Sequence, residues 1–381
     1  MKVYLAIDLG AGSGRVMAIL HDDRGIELEQ VHRFESPAIE VGESLYWDIH
    51  LIWNEIKTGL GKAARNYGTS IHSMGVDSWG VDYGWLDESG KLLQLPHCYR
   101  DPRTHGLVEE VADLIGRDTI FDETGIQFMP INTLYQLRAD VDAKAPNMLQ
   151  DAGCFLMIAD VINYWLTGRM VCERTNASTT QLYNPRTRNW SKNLVERIGL
   201  RSSVLPPLID PGETLGDLRP ELSQETGLGD IPVIAVGSHD TASAVAGVPA
   251  ASGDSFAYLS CGTWALLGAE VHEPMINEAV LEHNFTNETG VEGTFRLLKN
   301  ITGLWVIQEC RRVWQETDGR EIHYEELEKL TDSAPQFTSF IDPDDPAFSH
   351  RGNHPEAIRT FCRESGQAVP TSRGEILRIA I

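Results

Sequence analysis

The chain has 381 residues, with 32 Lys+Arg against 55 Asp+Glu and a formal net charge of −23. Hydrophobic residues make up 42% and charged residues 23%, the balance of a folded globular protein with material for two or three domains rather than a disordered chain. This acidity disfavours nucleic acid or an anionic membrane as partner, while a local site for an anionic small molecule stays open.

The start, Met1 to Gly10, runs straight into a strand-like segment without the marks of a secretory signal. No apolar run approaches the ~20 residues of a membrane span. The six cysteines, Cys98, Cys154, Cys172, Cys261, Cys310 and Cys362, are scattered, with no C-x-x-C. Neither a structural zinc site nor a disulfide framework is expected, and a reducing cytoplasm is the default setting.

In chain order, Val3 to Ile7 predicts a buried strand and Val16 to Leu20 its antiparallel return, joined by the turn Gly10-Ala11-Gly12-Ser13-Gly14-Arg15. The dinucleotide fingerprint needs a helix after its glycines, so it is disfavoured here. Asp48 predicts the N-cap of an amphipathic helix with Ile49, Ile52, Trp53, Ile56 and Leu60 on one face and Gly68 as terminator. A strand is expected over Ile71 to Val76, leading into Asp77-Ser78-Trp79-Gly80-Val81-Asp82. Helical stretches are expected near Gly106 to Ile115, around Thr133 to Ala139 and from Asp160 to Leu166, with a loop over Asn184 to Asn193.

Ile231 to Val236 reads as a further buried strand, followed by Gly237-Ser238-His239-Asp240-Thr241 and a short helix, Ala242 to Ala246. Gly247 to Asp254 is small and turn-rich, a candidate domain boundary. A second hairpin then pairs Ser255 to Leu259 with Trp264 to Leu267 through Ser260-Cys261-Gly262-Thr263. It echoes the first, as expected of two halves on one plan facing each other across a cleft. A helix is expected over Asn300 to Trp314, and Thr371-Ser372 is placed to cap a last helix reaching Ile381.

Several of these segments admit both a chemical and a structural reading. The first turn offers backbone N–H groups, the Ser13 hydroxyl and the Arg15 cation to a phosphate, and Asp8 is placed to hold Mg²⁺, directly or through water; it also reads as an ordinary glycine-rich hairpin. The Cys261-Gly262-Thr263 turn offers the same pair of readings. Asp240 is either a helix N-cap or a carboxylate that accepts a proton from a hydroxyl attacking phosphorus. His239 is a sugar ligand or a satisfied buried histidine. Trp79 to Tyr83, with Trp47, supplies faces on which a sugar could pack, or core aromatics. Asn300 and Gln308 are ligand amides or part of a solvated helix face.

Taken together, these pieces resemble the FGGY carbohydrate kinase family. The resemblance rests on Ile7 to Arg15, Val76 to Asp82, Tyr99-Arg100-Asp101, Gly125 to Phe128 with Asn132 to Leu137, Ser238 to Ala244, Cys261 to Trp264, and Leu298 to Trp305, which occur in family order. It implies an α/β, actin-like or Hsp70-like ATPase fold with duplicated RNase H-like domains, residues 1–247 and 253–381. It implies transfer of the ATP γ-phosphoryl group to the 1-hydroxyl of a ketose, L-rhamnulose, with L-fuculose and xylulose as alternatives.

By position, Ala11, Gly12, Ser13, Gly14, Arg15, Thr263 and Gln308 would bind ATP. Gly80, His239, Asp240, Thr241 and Asn300 would line the sugar pocket, Asp240 would be the general base, and Mg²⁺ would bridge the phosphates. The family's glycine-rich G-G-G-x-x-N turn does not occur before Ile381, so an incomplete second domain is expected. A non-catalytic sugar-binding remnant and an actin-like switch that acts on partner proteins are the alternatives from other classes. Oligomeric state has no sequence signal.

Overall fold

The computed structural model describes residues 1–143, 146–250, 256–262, 264–343, 345–348 and 351–381. The chain forms two compact units, Met1–Ser255 with Glu270–Leu297, and Phe256–Ala269 with Leu298–Ile381.

The first unit is built on a six-stranded sheet. Its spatial order is Thr214–Asp217, Pro232–Ile234, Ile71–Ser78, Lys2–Leu9, Ser13–Asp22, Gly25–Glu35. The last three form an antiparallel meander, whereas Lys2–Leu9, Ile71–Ser78 and Pro232–Ile234 run parallel. Alternation sets the faces: Val3, Leu5, Ile7 and Leu9 are at most 2% exposed, and the residues between them are only partly buried. This mixed sheet is the α/β plan expected from the resemblance.

Helix Ile49–Tyr67 covers one face. Asp48 accepts a hydrogen bond from Leu51 N–H at 3.0 Å, and Gly68 ends the helix at φ 51°. Ile49, Ile52, Ile56 and Leu60 are fully buried, and burial of each contributes roughly 2–3 kcal/mol. A Cβ added at Gly59 would lie 2.5 Å from Val16 Cγ2, so the helix and strand Ser13–Asp22 meet without an intervening side chain. Helix Ile158–Thr167 packs against strand Ile71–Ser78 within the same core. A second core gathers Tyr83, Trp85 and Phe155 in edge-to-face contact beside Leu134, Tyr135 and Trp190.

In the second unit, Ala257–Cys261 pairs antiparallel with the strand Trp264–Val271, Cys261 opposite Ala265. Helices Trp305–Asp318, Tyr324–Asp332, His354–Glu364 and Arg373–Ala380 enclose a core of Val306, Cys310, Trp314, Phe348, Ile358, Ile376 and Leu377. Ser372 and Glu375 form a reciprocal capping box at the last helix, as the Thr371-Ser372 signal predicts.

Some local expectations change. Asn300 lies on strand Phe295–Thr302, and the following helix starts only at Trp305. A Cβ at Gly303 would sit 2.7 Å from the Trp264 carbonyl carbon and 2.9 Å from Gly262 O. This close approach, with Leu304 N–H donating to Gly262 O at 2.9 Å, separates strand from helix. Asp240 is the first helical residue of Asp240–Ala246, and His239 holds the N-cap position. The loop expected over Asn184 to Asn193 contains a short antiparallel pair, Tyr183–Asn184 with Asn189–Trp190. Thr263 and positions 251–254 of the predicted boundary lie outside the described residues.

Candidate active site

The parallel strands of the first unit end together. Asp8 and Asp77 are register partners on neighbouring strands, Trp79 N–H donates to Leu9 O at 3.1 Å, and Ser78 N–H donates to Ser238 O at 2.9 Å. The carboxyl edge of a parallel sheet is where an α/β fold collects ligand-binding loops, and Gly10–Arg15, Trp79–Asp82 and Ser238–Thr241 all leave it here.

Three carboxylates share this edge. Burial raises Asp8 above its ordinary value; Arg15 opposes the rise and Asp240 adds to it. Asp77 is raised further, by burial first and then by the charges of Asp8 and Asp240. Its Oδ1 is buried without a hydrogen-bond partner. Arg15 is Asp8's cross-strand partner and meets it at 3.1 Å, with 47% of the arginine side chain exposed. An exposed pair of this kind holds weakly, so the guanidinium is free to turn to an anion. The turn itself is tight, with Gly10 N–H donating to Ser13 O at 3.1 Å. Gly12 is exposed and open: a Cβ there would meet nothing within 4 Å.

Asp240 is the reactive-looking carboxylate of this group. Its side chain remains 38% exposed, and Oδ1 accepts hydrogen bonds from Thr241 N–H at 2.6 Å and the Thr241 hydroxyl at 3.2 Å. Thr241 is buried and so fixes the carboxylate from below. His239 Nε2 lies 3.5 Å from the same oxygen. The loop carrying these residues is tied to a buried carboxylate, Glu173, which accepts from Ser238 N–H and from the Ser238 hydroxyl at 2.9 Å each.

Gly80 sits beside this loop on a strained turn. A Cβ there would lie 2.9 Å from Thr179 Cγ2. Val81 adopts φ 66°, costly for a β-branched residue. Thr133 Oγ1 donates to Val81 O at 2.6 Å, and Val81 N–H donates to Thr179 Oγ1 at 3.1 Å; these bonds pin the strained residue.

The aromatic cluster belongs to the core. Trp47, Trp79 and Tyr83 are 2%, 6% and 4% exposed. The indole N–H groups of Trp47 and Trp79 donate to Asp82 Oδ2 at 2.6 and 3.0 Å, and the Tyr83 hydroxyl donates to Asp140 at 2.6 Å. These rings position the Gly80 turn from beneath.

In the second unit, Gly262 is exposed at the hairpin turn, Asn300 is half-buried on its strand, and Gln308 is half-buried in the first turn of helix Trp305–Asp318. Among the described residues no group of three or more His, Cys, Asp or Glu side chains is arranged to hold a metal by itself. No described helix is long and apolar enough to cross a membrane.

Comparison with known proteins gives this edge its context. The N-terminal domain model of the FGGY family of carbohydrate kinases matches residues 3–247, and its C-terminal domain model matches 257–381. The chain belongs to the FGGY family of carbohydrate kinases. A rhamnulokinase of Bacteroides thetaiotaomicron is 44% identical over 98% of this chain and 76% of its own length. One from Pectobacterium atrosepticum is 43% identical over 99% of this chain and 74% of its own. Among solved structures, a ligand-bound xylulose kinase of Lactobacillus acidophilus aligns with TM-score 0.80 at 18% identity, covering 100% of this chain and 75% of that one. A Plasmodium falciparum glycerol kinase with ADP aligns with TM-score 0.74 at 15% identity, over 100% of this chain and 76% of that one. These two show the shared two-domain α/β kinase fold. The resemblance read from the sequence holds, and the protein is an ATP-dependent carbohydrate kinase.

Within the first unit, the structure brings together Asp8, the Gly10–Arg15 turn, Gly80 and His239–Thr241. Sequence reasoning missed Asp77 as a third carboxylate, although it precedes Ser78 in a quoted motif. It also missed Glu173, Glu288 and Arg296, which reach the His239 loop from distant segments.

Proposed function

We propose that this chain transfers the γ-phosphoryl group of ATP to the 1-hydroxyl of L-rhamnulose, with Asp240 as general base. The observation that carries the reading is the half-exposed Asp240 carboxylate, held by Thr241 at the carboxyl edge of the parallel strands. The relatives' name, rhamnulokinase, at 39–44% identity supports the substrate.

Phosphoryl transfer needs positioning and charge neutralisation more than covalent help. Gly80, His239 and Thr241 hold the ketose so that its hydroxyl meets Asp240. The oxygen loses its proton to the carboxylate as it attacks phosphorus, and ADP departs. Ala11 to Arg15 supply backbone N–H groups and one cation to the phosphates. By the family resemblance, Thr263 and Gln308 are further candidate ATP ligands.

Asp8 is the candidate protein ligand of a divalent cation at this edge. Asp77 Oδ1 lacks a partner; burial raises both Asp8 and Asp77, Asp240 adds to each, and Asp8 adds to Asp77. Asp8 would hold Mg²⁺, directly or through water. The ion would neutralise charge on the transferring phosphates; with most of its ligands water and phosphate oxygens, it needs few protein groups. A cytoplasmic setting fits the six free cysteines.

The test is ADP release with purified protein. ADP formation that requires both L-rhamnulose and Mg²⁺, and that nearly vanishes in Asp240→Asn, is the expected result. Asp240→Asn retaining most of the turnover would overturn the assignment of the base.

A further inference from the structure

His239 is gripped on the side away from Asp240. Its Nδ1 lies 3.1 Å from Glu288 Oε2 and 3.0 Å from Arg296 Nη2, and Arg296 Nη2 donates to Glu288 Oε2 at 2.9 Å. The histidine, glutamate and arginine are 8%, 5% and 0% exposed. Glu288 and Arg296 come from one hairpin, Thr286–Thr289 turning at Gly293 into Phe295–Thr302, and Gly290 N–H donates to Thr294 O at 2.9 Å across it. A second tether joins the hairpin to the site's surroundings, because Thr289 N–H donates to Ser178 Oγ at 2.9 Å.

Only one of the two groups at Nδ1 can be its hydrogen-bond partner. An N–H donated to a carboxylate is charge-assisted and stronger than a neutral nitrogen accepting from arginine. Arg296 Nη2 and Nε keep acceptors in this arrangement, Glu288 Oε2 and the Thr289 carbonyl, while its Nη1 is buried without a partner. The proton therefore sits on Nδ1 and points at Glu288. In the neutral ring, Nε2 then carries a lone pair, and that lone pair faces Asp240 Oδ1 at 3.5 Å.

We propose that Glu288 and Arg296 are positioning residues for phosphoryl transfer: they fix the Nδ1–H form of His239, so that Nε2 accepts a hydrogen bond from Asp240 once Asp240 has taken the sugar proton. The proposal deepens, and rests on, the reading of Asp240 as general base. In the step, the sugar O–H bond breaks and its proton passes to Asp240. The oxygen–phosphorus bond forms as the bond from phosphorus to the ADP oxygen breaks. The new carboxyl O–H then donates to His239 Nε2. Before transfer, the lone pair and the ionised carboxylate repel each other weakly. Afterwards they are bridged, so the interaction favours the later state, as a catalytic contact must. The 3.5 Å separation tightens when the proton arrives.

The negative charge the proposal needs is present. Burial acts to raise the Glu288 carboxyl, and the Arg296 guanidinium and His239 outweigh it, holding the group below its ordinary value. Arg296 thus keeps Glu288 ionised, and Glu288 sets the histidine.

The experiment is ¹⁵N-histidine NMR on the whole protein at about pH 8, where an ordinary imidazole is neutral. The ring is assigned by the signal absent from His239→Gln. The expected result is a protonated Nδ1 and a bare Nε2. Glu288→Leu removes the acceptor and leaves the Arg296 Nη2 donor at Nδ1, so its expected spectrum moves the proton to Nε2. Its kcat is expected to fall about 10- to 100-fold, with KM for ATP nearly unchanged. Glu288→Asp keeps the carboxylate and recovers the Nδ1–H form and part of the turnover. A wild-type ring protonated at Nε2 overturns the proposal and needs no variant to fold. So does Glu288→Leu with wild-type kcat. Wild-type protein lacking ketose-dependent ADP release would instead refute the kinase reading, and the tautomer would still be read directly.

Discussion

Glu173 Oε2 accepts hydrogen bonds from both the backbone N–H and the hydroxyl of Ser238, at 2.9 Å each, across 65 positions of sequence. The same carboxylate accepts from Thr175 N–H at 2.9 Å and Asn176 N–H at 3.3 Å. Thr175 Oγ1 in turn accepts from His239 N–H at 3.1 Å. A single buried acid thus sets the backbone path that presents His239 and Asp240.

Glu173→Gln replaces one acceptor oxygen with a donor facing a backbone N–H. The expected cost is about 1–3 kcal/mol of stability, read from urea unfolding, together with lower kcat at unchanged KM for ATP. Unchanged stability and turnover would remove Glu173 from the account.

The two glycines of the first turn should separate ligand approach from packing. A Cβ at Gly14 would lie 2.4 Å from the Phe34 ring, whereas one at Gly12 meets nothing within 4 Å. Gly14→Ala is expected to lose about 1–3 kcal/mol of stability through overpacking. Gly12→Ala is expected to unfold like wild type and to raise KM for ATP several-fold, because a methyl there obstructs only an incoming phosphate. Gly12→Ala with wild-type KM for ATP would place the phosphates elsewhere.

Gly80→Ala puts a methyl 2.9 Å from Thr179 Cγ2. Thr179 cannot swing away cheaply, since its hydroxyl donates to Asn176 O at 2.8 Å and accepts from Val81 N–H at 3.1 Å. The turn should therefore shift, raising KM for the ketose while leaving KM for ATP alone. Steady-state kinetics with each substrate varied in turn checks this, and an effect confined to ATP would contradict the sugar-pocket role.

Asp82 supplies a pH dependence. Burial pushes its carboxyl up to about 6 from an ordinary 3.8, and hydrogen bonds from Gln136, Trp47, Trp79 and the Tyr99 N–H keep it from rising further. The folded state therefore holds this proton more tightly than the unfolded chain does. The group's contribution to stability is complete below pH 3.8 and is lost as pH rises through about 6. Over that interval wild type should lose up to about 3 kcal/mol relative to Asp82→Asn. Unfolding curves across the range measure it; parallel pH profiles would show that Asp82 keeps an ordinary value.

The elements legible in the sequence are those whose signals are local. The opening hairpin, the Asp48 cap with its Ile49, Ile52, Ile56 and Leu60 face, the Gly68 stop and the Ser372 cap follow from neighbours a few positions apart. Asn300 was misplaced on a helix because the break depends on Gly303 approaching Trp264, a contact with no local mark. Trp47 and Trp79 left their role open until Asp82 was seen to hold both indoles. Glu288 and Arg296 gave no signal, since their partner His239 lies some fifty positions earlier and only the fold joins them.

The most direct test of the central claim is product analysis with purified chain, ATP, Mg²⁺ and a side-by-side panel of L-rhamnulose, L-fuculose and xylulose. The account predicts L-rhamnulose 1-phosphate and an equal amount of ADP, with L-rhamnulose giving the highest kcat/KM and Asp240→Asn giving neither product. Phosphorylation at another hydroxyl, preference for another ketose, or no sugar phosphate at all would contradict it.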